Sequence, residues 1–297
     1  MKITLTGASG FLGRRLIERL QQDGHTLHVL GRSRPKAAGV SFTAWDAVRD
    51  AVPVEAVEGA DAVIHLAGEP VAQRWTSEVK DRIRTSRVNG SEALVRAIGA
   101  AGQRPRVMVA ASAIGYYGER GDAVVTEATP AGQGFLPDIS VAWERAADGA
   151  LAHGVRVVKL RLGIVLGPDG GALDKMLPPF RMGVGGVIGN GAQWMSWIHV
   201  DDVIGLLVYC LAHAEVQGAV NATAPRPVQN KEFTHALGVA LHRPTIFPVP
   251  PLALKLLYGE MASMVLASQR VEPVAALRAG YAFAYPELQP ALNQLLR

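Results

Sequence analysis

The chain contains a single cysteine in 297 residues, Cys210. An internal disulfide is excluded. A lone thiol in the apolar stretch 203–214 is expected to be buried and inert rather than nucleophilic. Uninterrupted apolar runs reach only about a dozen residues, short of the roughly 20 needed to span a bilayer as a helix. Charge of either sign is never concentrated: 30 Lys and Arg stand against 26 Asp and Glu, for a net charge of +4. That scatter excludes a nucleic-acid stripe and suits, at most, an anionic small ligand. No Cys and His residues are spaced for zinc, and no carboxylate cluster suggests a metal. No apolar leader precedes the first expected strand, and repeats and low-complexity tracts are lacking. A reduced, cytoplasmic protein that engages neither nucleic acid nor membrane is expected.

What is present begins at the N-terminus. Residues 2–6 alternate as a strand, and Gly7, Gly10 and Gly13 follow at G-x-x-G-x-x-G spacing. Leu12, Leu16, Ile17 and Leu20 then recur at helical spacing, with Arg14, Arg15, Glu18 and Arg19 on the other face. Strand, glycine turn and amphipathic helix open a dinucleotide-binding βαβ unit. The glycines permit a tight turn, backbone approach to a pyrophosphate, and close packing of helix on strand. The pyrophosphate then meets free N–H groups at the positive end of the helix. Gly7, Ser9, Gly10, Phe11, Leu12 and Gly13 are the expected contacts.

A second strand over 25–30 ends in Gly31, Arg32, Ser33, Arg34, Pro35 and Lys36. An acid at this point would read a ribose 2′-hydroxyl. Three cations and no acid suit a 2′-phosphate instead, so NADP(H) is favoured over NAD(H), with Arg32, Ser33 and Arg34 as contacts. Asp46, after a short strand at 41–45, is placed near the adenine. Further strands are expected at 61–68, 106–111 and 155–162, with helices at 76–102 and 140–152 between them. The turn residues Leu66, Ala67, Gly68, Ala111, Ser112, Leu162 and Gly163 at strand ends complete the expected cofactor contacts. With 49% hydrophobic residues, the chain can bury one large α/β domain and a smaller appendage. The fold class expected is α/β, a Rossmann-type doubly wound parallel sheet with a smaller, mostly helical C-terminal domain. Its boundaries read as 1–166, with return elements at about 196–223, for the dinucleotide domain. Segments 167–195 and 224–297 form the substrate side.

The ordered motifs GASGFLG (7–13), DAVIHLAG (61–68), RVNGS around Asn89, SAIGYYG (112–118), RLGIVLGP (161–168) and WIHVDDV (197–203) resemble the extended short-chain dehydrogenase/reductase family. Over essentially the whole chain, LAGEPVAQRW (66–75), AWERAA (142–147) and the tail at 259–288 narrow the likeness. They point to its NAD(P)-dependent epimerase-like subgroup of uncertain activity, which carries a small C-terminal domain of unknown function. The resemblance implies a Tyr followed four residues later by a Lys, on a helix, to move a proton while the cofactor moves a hydride. The chain departs from it. No Tyr here is followed by Lys at that spacing. Matching the helix on Trp143 and Glu144 places Leu136 and Ser140 at the two positions.

Three hydroxyls remain as candidates for the chemistry. Ser112 is a candidate to orient a substrate carbonyl, or to bond backbone at a strand end. Tyr116 and Tyr117 are alternative acids, one of which is expected to pack. Glu69, Arg74 and Trp75 combine a carboxylate, a cation and an aromatic, as a substrate mouth does, or form a salt-bridged loop. His65 reads as a core histidine. His199, Asp201 and Asp202 read as a helix entry capped by an Asp. Two functions stay open: an NADP-dependent epimerase-like oxidoreductase acting on an unidentified small molecule, or a non-catalytic NADP(H)-binding sensor or assembly factor. Its long helices would cover the sheet or pair in a homodimer.

Overall fold

The computed structural model describes all 297 residues. Its main sheet holds seven parallel strands in the order β3-β2-β1-β4-β5-β7-β11. These are β1 (Lys2–Thr6), β2 (Thr26–Gly31), β3 (Ser41–Ala44), β4 (Ala62–His65), β5 (Val107–Ala113), β7 (Arg156–Leu162) and β11 (Gly218–Ala222). The chain starts mid-sheet, runs outward through β2 and β3, then returns to β4 on the other side of β1. Ile3 sits opposite Ala62 and Thr6 opposite His65. Such a reversal leaves a crevice beyond the carboxyl ends of β1 and β4, where ligands of doubly wound sheets bind.

Helices cover both faces, which is why the central strands are apolar runs rather than alternating ones. On one face α1 (Phe11–Gln22) and α5 (Val200–Ala212) bury Leu16, Leu20 and Leu207 against Ile3, Leu5 and Val109. On the other, α2 (Ser77–Ala100) and α3 (Phe135–Asp148) bury Leu94, Ile98 and Ala147 against Val63, Met108 and Val157. Thr76 caps α2 by accepting from the Val79 amide. Cys210 lies fully buried in the first of these cores. Burial pushes its thiol up to about 12, so it is no nucleophile at neutral pH.

A third core joins α4 (Gly171–Arg181), α6 (Asn230–Leu241) and α10 (Leu288–Leu295) around Trp197, Phe233 and Leu292. Three short strand pairs stitch this part to the sheet. β8 (Ile164–Gly167) pairs with β10 (Trp197–His199), β9 (Trp194–Met195) with β12 (Val228–Gln229), and β6 (Val124–Val125) with β13 (Arg270–Val271). Between them run α7 (Pro251–Tyr258), α8 (Ala262–Leu266) and α9 (Val274–Arg278). No helix is long and apolar enough to cross a membrane.

Two expectations need correction. α3 begins at Phe135, five residues before the expected start, because Pro137 falls in its first turn, where a missing N–H is tolerated. α5 is capped by His199 rather than by an Asp: β10 delivers His199 in an extended conformation, and its Nδ1 accepts from the Asp201 amide at 3.0 Å. The Asp202 carboxylate instead accepts the amides of Ala284 and Tyr285.

His65 closes β4, fully buried, with Nδ1 2.7 Å from Thr6 Oγ1 and Nε2 without a partner. Burial first, then the nearby Arg87 charge, hold its pKa down at about 4. The unfolded chain therefore takes up this proton first as pH falls. The stability His65 contributes is full above about pH 6.5 and is lost towards pH 4, by up to roughly 3 kcal/mol. Urea unfolding of the wild type and His65→Gln across pH 7 to 4 should show a shallower loss in the variant. Identical pH slopes would contradict this assignment.

Candidate functional site

The glycine turn is built by close backbone contacts. Gly7 has φ +76°, and a Cβ there would stand 2.6 Å from the Leu66 carbonyl carbon and 2.8 Å from the Ala67 amide nitrogen. A Cβ on Gly13 would stand 2.2 Å from the Gly7 oxygen. The first glycine thus lets the β1 turn lie against the β4 turn, and the third seats α1 on the strand. Gly10 enters α1 without a side-chain cap, and no acid occupies the first helical turn. The amides of Phe11, Leu12 and Gly13 find no acceptor within the chain. Open amides at a helix start fit an anionic pyrophosphate. The Phe11 ring packs where Cβ atoms on Gly167 or Gly170 would be, and the Leu12 side chain packs into the core. Both residues face the turn through backbone alone. Ser9 is exposed, and its carbonyl accepts from Arg14.

Beyond β2, Arg32, Ser33 and Arg34 are exposed, and none of the loop cations, Lys36 included, forms an ion pair. Arg34 lies over the Phe42 ring, 5.3 Å from its centroid. Asp46 is partly buried next to Trp45; its Oδ1 accepts from the Val48 amide and closes the turn there.

At the carboxyl end of β5 a buried charged network dominates. Arg161 on β7 forks onto Glu144 of α3, Nε to Oε1 at 2.7 Å and Nη2 to Oε2 at 2.8 Å. Ser112, 1% exposed, donates its hydroxyl to the same Glu144 Oε1 at 2.6 Å. Arg161 Nη1 donates to Tyr117 Oη, which donates to Asn221 Oδ1 at 2.6 Å. Asn221 in turn donates to the Glu272 carbonyl. The candidates therefore separate. Tyr117 is 0% exposed, and burial, only partly offset by Arg161, pushes its pKa up to about 12. It is a structural link, which corrects its reading as a proton donor. The Ser112 hydroxyl already spends its one hydrogen on the bond to Glu144, so it can accept from a ligand but not donate to a carbonyl. Tyr116 is partly exposed, stacks 3.5 Å over the Arg161 guanidinium, and keeps its hydroxyl free of partners. Ser112 and Arg161 are register partners, with Ala111 before the one and Leu162 after the other. Gly163 has no room for a side chain: a Cβ would meet the Ser196 carbonyl oxygen at 2.5 Å. α3 contains neither a tyrosine nor a lysine; Ser140 donates to the Leu136 carbonyl.

The expected mouth does not assemble. Trp75 is buried in a cluster with Val79, Ile83, Ile139 and Met261, its ring edge-on to Phe135 at 4.9 Å. It packs α2 against α3 rather than lining a cleft, because its indole N–H already has the Val71 carbonyl as acceptor. Arg74 is exposed beside Gly259. The Glu69 carboxylate takes Gln73 at 3.1 Å and has Arg82 at 3.9 Å, with no ion pair to Arg74. Asn89, in the RVNGS motif, is exposed with its side chain unbonded. The inward residue is Arg87, whose guanidinium packs under Gly68 and over Trp143. Glu144, Arg161 and Asn221 were missed altogether. Arg161 shares the stretch 155–166 with Arg156 and Lys159, so its charge alone did not mark it as buried.

These features define a dinucleotide-type crevice in a doubly wound sheet, and the comparisons place it. The model for the NAD dependent epimerase/dehydratase family matches residues 3–222, and that for a domain of unknown function (DUF1731) matches 249–295. The chain belongs to the NAD-dependent epimerase/dehydratase family. It is 42% identical to the chloroplastic SDR39U1 homolog of Arabidopsis thaliana, an epimerase family protein, over 100% of this chain and 87% of that one. It is 35% identical to the epimerase family protein YfhF of Bacillus subtilis, over 100% and 98%. The crystal structure of human epimerase family protein SDR39U1 (isoform 2), which contains NADPH, superposes with a TM-score of 0.90 at 33% identity, covering 100% and 99%.

A buried fork broken on one side leaves an unpaired charge out of water, which costs about 3–5 kcal/mol. Arg161→Met should lower urea-unfolding stability by about that much, and adding Glu144→Leu should recover most of the loss. A double variant no more stable than the single would show that the fork does not carry the site's geometry.

Proposed function

We propose that the protein is an NADP(H)-binding, epimerase-like oxidoreductase acting on a small molecule without a Tyr-x-x-x-Lys pair. The observation that carries the cofactor reading is the pairing of two unsatisfied features. The amides at the start of α1 have no acceptor, and the cations after β2 have no carboxylate. One fits a pyrophosphate and the other a 2′-phosphate, and the human relative's structure contains NADPH. Gly7, Gly10 and Gly13 would hold the pyrophosphate on backbone, with Arg32, Ser33 and Arg34 on the adenosine side. When bound, the nicotinamide supplies or accepts a hydride. Of the chain's own groups near the ends of β5 and β7, Tyr116 has the uncommitted hydroxyl, and Ser112 offers only acceptor capacity. Tyr116 is therefore the residue proposed to move a proton.

The same geometry favours a second reading, a non-catalytic NADP(H)-binding sensor or assembly factor. Its support is that Ser112 and Tyr117 are both spent on the buried network.

Two measurements test these readings. In titrations followed by nicotinamide fluorescence, Arg32→Ala/Arg34→Ala should weaken NADPH binding by about tenfold to a hundredfold and leave NADH binding unchanged, as expected for lost charge-assisted bonds. Equal losses for both nucleotides would remove the 2′-phosphate assignment. Incubation with NADPH or NADP⁺ and a panel of carbonyl compounds and sugar nucleotides should give hydride transfer that Tyr116→Phe slows at least tenfold. No turnover across the panel, with nucleotide binding intact, would favour the sensor reading.

A further inference from the structure

Large apolar side chains left in water are concentrated in one place. Eight in the chain are more than half exposed, and seven of them lie in two segments, 181–191 and 242–258. Ile246, Leu256, Met182, Leu252 and Leu257 lead, at 76% to 64% exposed. The two segments form one lobe. The Val249 amide donates to the Val187 carbonyl, the Val249 carbonyl accepts from the Gly189 amide, and Arg243 Nε donates to the Arg181 carbonyl at 3.0 Å. The lobe ends in α7, which has four leucines among its eight residues and none of them buried. It packs mainly on the turn 259–261 and on α8. So short a helix is marginal in water unless an apolar face receives it, so α7 lacks a partner.

The charge of the lobe is of one sign. Neither segment contains an Asp or a Glu, and the cations Arg181, Arg243 and Lys255 are exposed and outside every ion pair. Glu260, the next acid along the chain, is paired with Lys80. Two copies meeting through this lobe about a two-fold axis would bring two sets of cations together with no carboxylate to offset them. A layer of negative charge over an apolar phase answers both features and requires no matching groove. The backbone suits such contact too. Pro244, Pro248, Pro250 and Pro251 have no N–H, and both backbone polar groups of Val249 are bonded, so few are stranded on leaving water.

We propose that this lobe docks the protein on an anionic lipid bilayer. Ile246, Leu252, Leu256 and their apolar neighbours enter the boundary between headgroups and acyl chains, and Arg181, Arg243 and Lys255 meet lipid phosphates. No helix crosses the membrane. The expectation of no membrane contact rested on run length, which tests for a span. Docking from the surface needs only exposed apolar side chains flanked by cations. It is independent of NADP(H) binding, so either reading can fail without the other.

The experiment is sedimentation of the whole protein with vesicles of phosphatidylcholine, alone or mixed in equal parts with phosphatidylglycerol. Binding to the anionic vesicles should be at least about tenfold tighter than to the neutral ones, and salt at about 0.5 M should remove most of that difference. Leu252→Gln/Leu256→Gln keeps good helix formers on an exposed face, and should weaken binding about tenfold or more with thermal melting unchanged. Arg243→Gln/Lys255→Gln should bring binding to the two vesicle types within a few-fold of each other. No binding to the anionic vesicles, or binding that the leucine variant leaves intact, would overturn the docking role. Light scattering that finds a dimer in the wild type and a monomer in the leucine variant would assign the lobe to a second copy, and would overturn it equally.

Discussion

The fork between Arg161 and Glu144 constrains everything at the carboxyl end of the sheet. Withdrawing two charges from water costs several kcal/mol per ion, and their attraction offsets this only when the remaining donors and acceptors are also used. Here they are. Ser112 takes the third bond to Glu144, Tyr117 takes the third nitrogen of Arg161, and Asn221 passes the chain of bonds to the Glu272 carbonyl. One network thereby joins β5, α3, β7, β11 and the segment after β13. Its α3 member, Glu144, is one helical turn beyond Ser140, the position the resemblance gives to a lysine. The protons in this network are instead held by fixed partners. That is why Tyr116, stacked on the outside of the fork, is the only one of the three candidate hydroxyls free to exchange a proton with a ligand.

The sequence made the frame of the site legible and left its interior obscure, for physical reasons that differ by residue. Backbone-driven features were readable. Gly7 and Gly13 occupy positions where any side chain would collide with main chain, so their spacing reports geometry directly. The small residues after β4 report close packing in the same way. Side-chain partnerships were not readable. Glu144 in AWERAA and Arg161 in KLRLG look like charges on solvated faces until α3 is docked on the sheet. Arg87 and Asn89 are two residues apart on one helix, about 200° around its axis, so choosing between them required the phase of α2. Trp75 beside Arg74 is equally consistent with a ligand mouth and with a packing anchor. The neighbour that decides it, Phe135, is distant in sequence.

The C-terminal part is tied to the nucleotide-binding part by the same kind of bond rather than by apolar contact alone. Gln269 donates to the carbonyls of Ile114 and Gly118, and Ser196 bridges the Gln269 carbonyl and the Val271 amide. The Glu119 carboxylate holds the Ser268 amide, and Asp202 holds those of Ala284 and Tyr285. These bonds use backbone groups of a strap that would otherwise be left unpaired when buried, so loosening it would expose several orphaned donors at once. The position of the strap against residues 114–121 is thus fixed by hydrogen bonds within the chain. α7 contrasts with it: none of its residues is buried, and it ends at Gly259 beside Arg74. Movement therefore costs least at α7 and the loop carrying Arg74, where little packing or hydrogen bonding is broken. The C-terminal part thus combines an exposed, weakly held helix with a strap fixed by backbone hydrogen bonds that leave no slack.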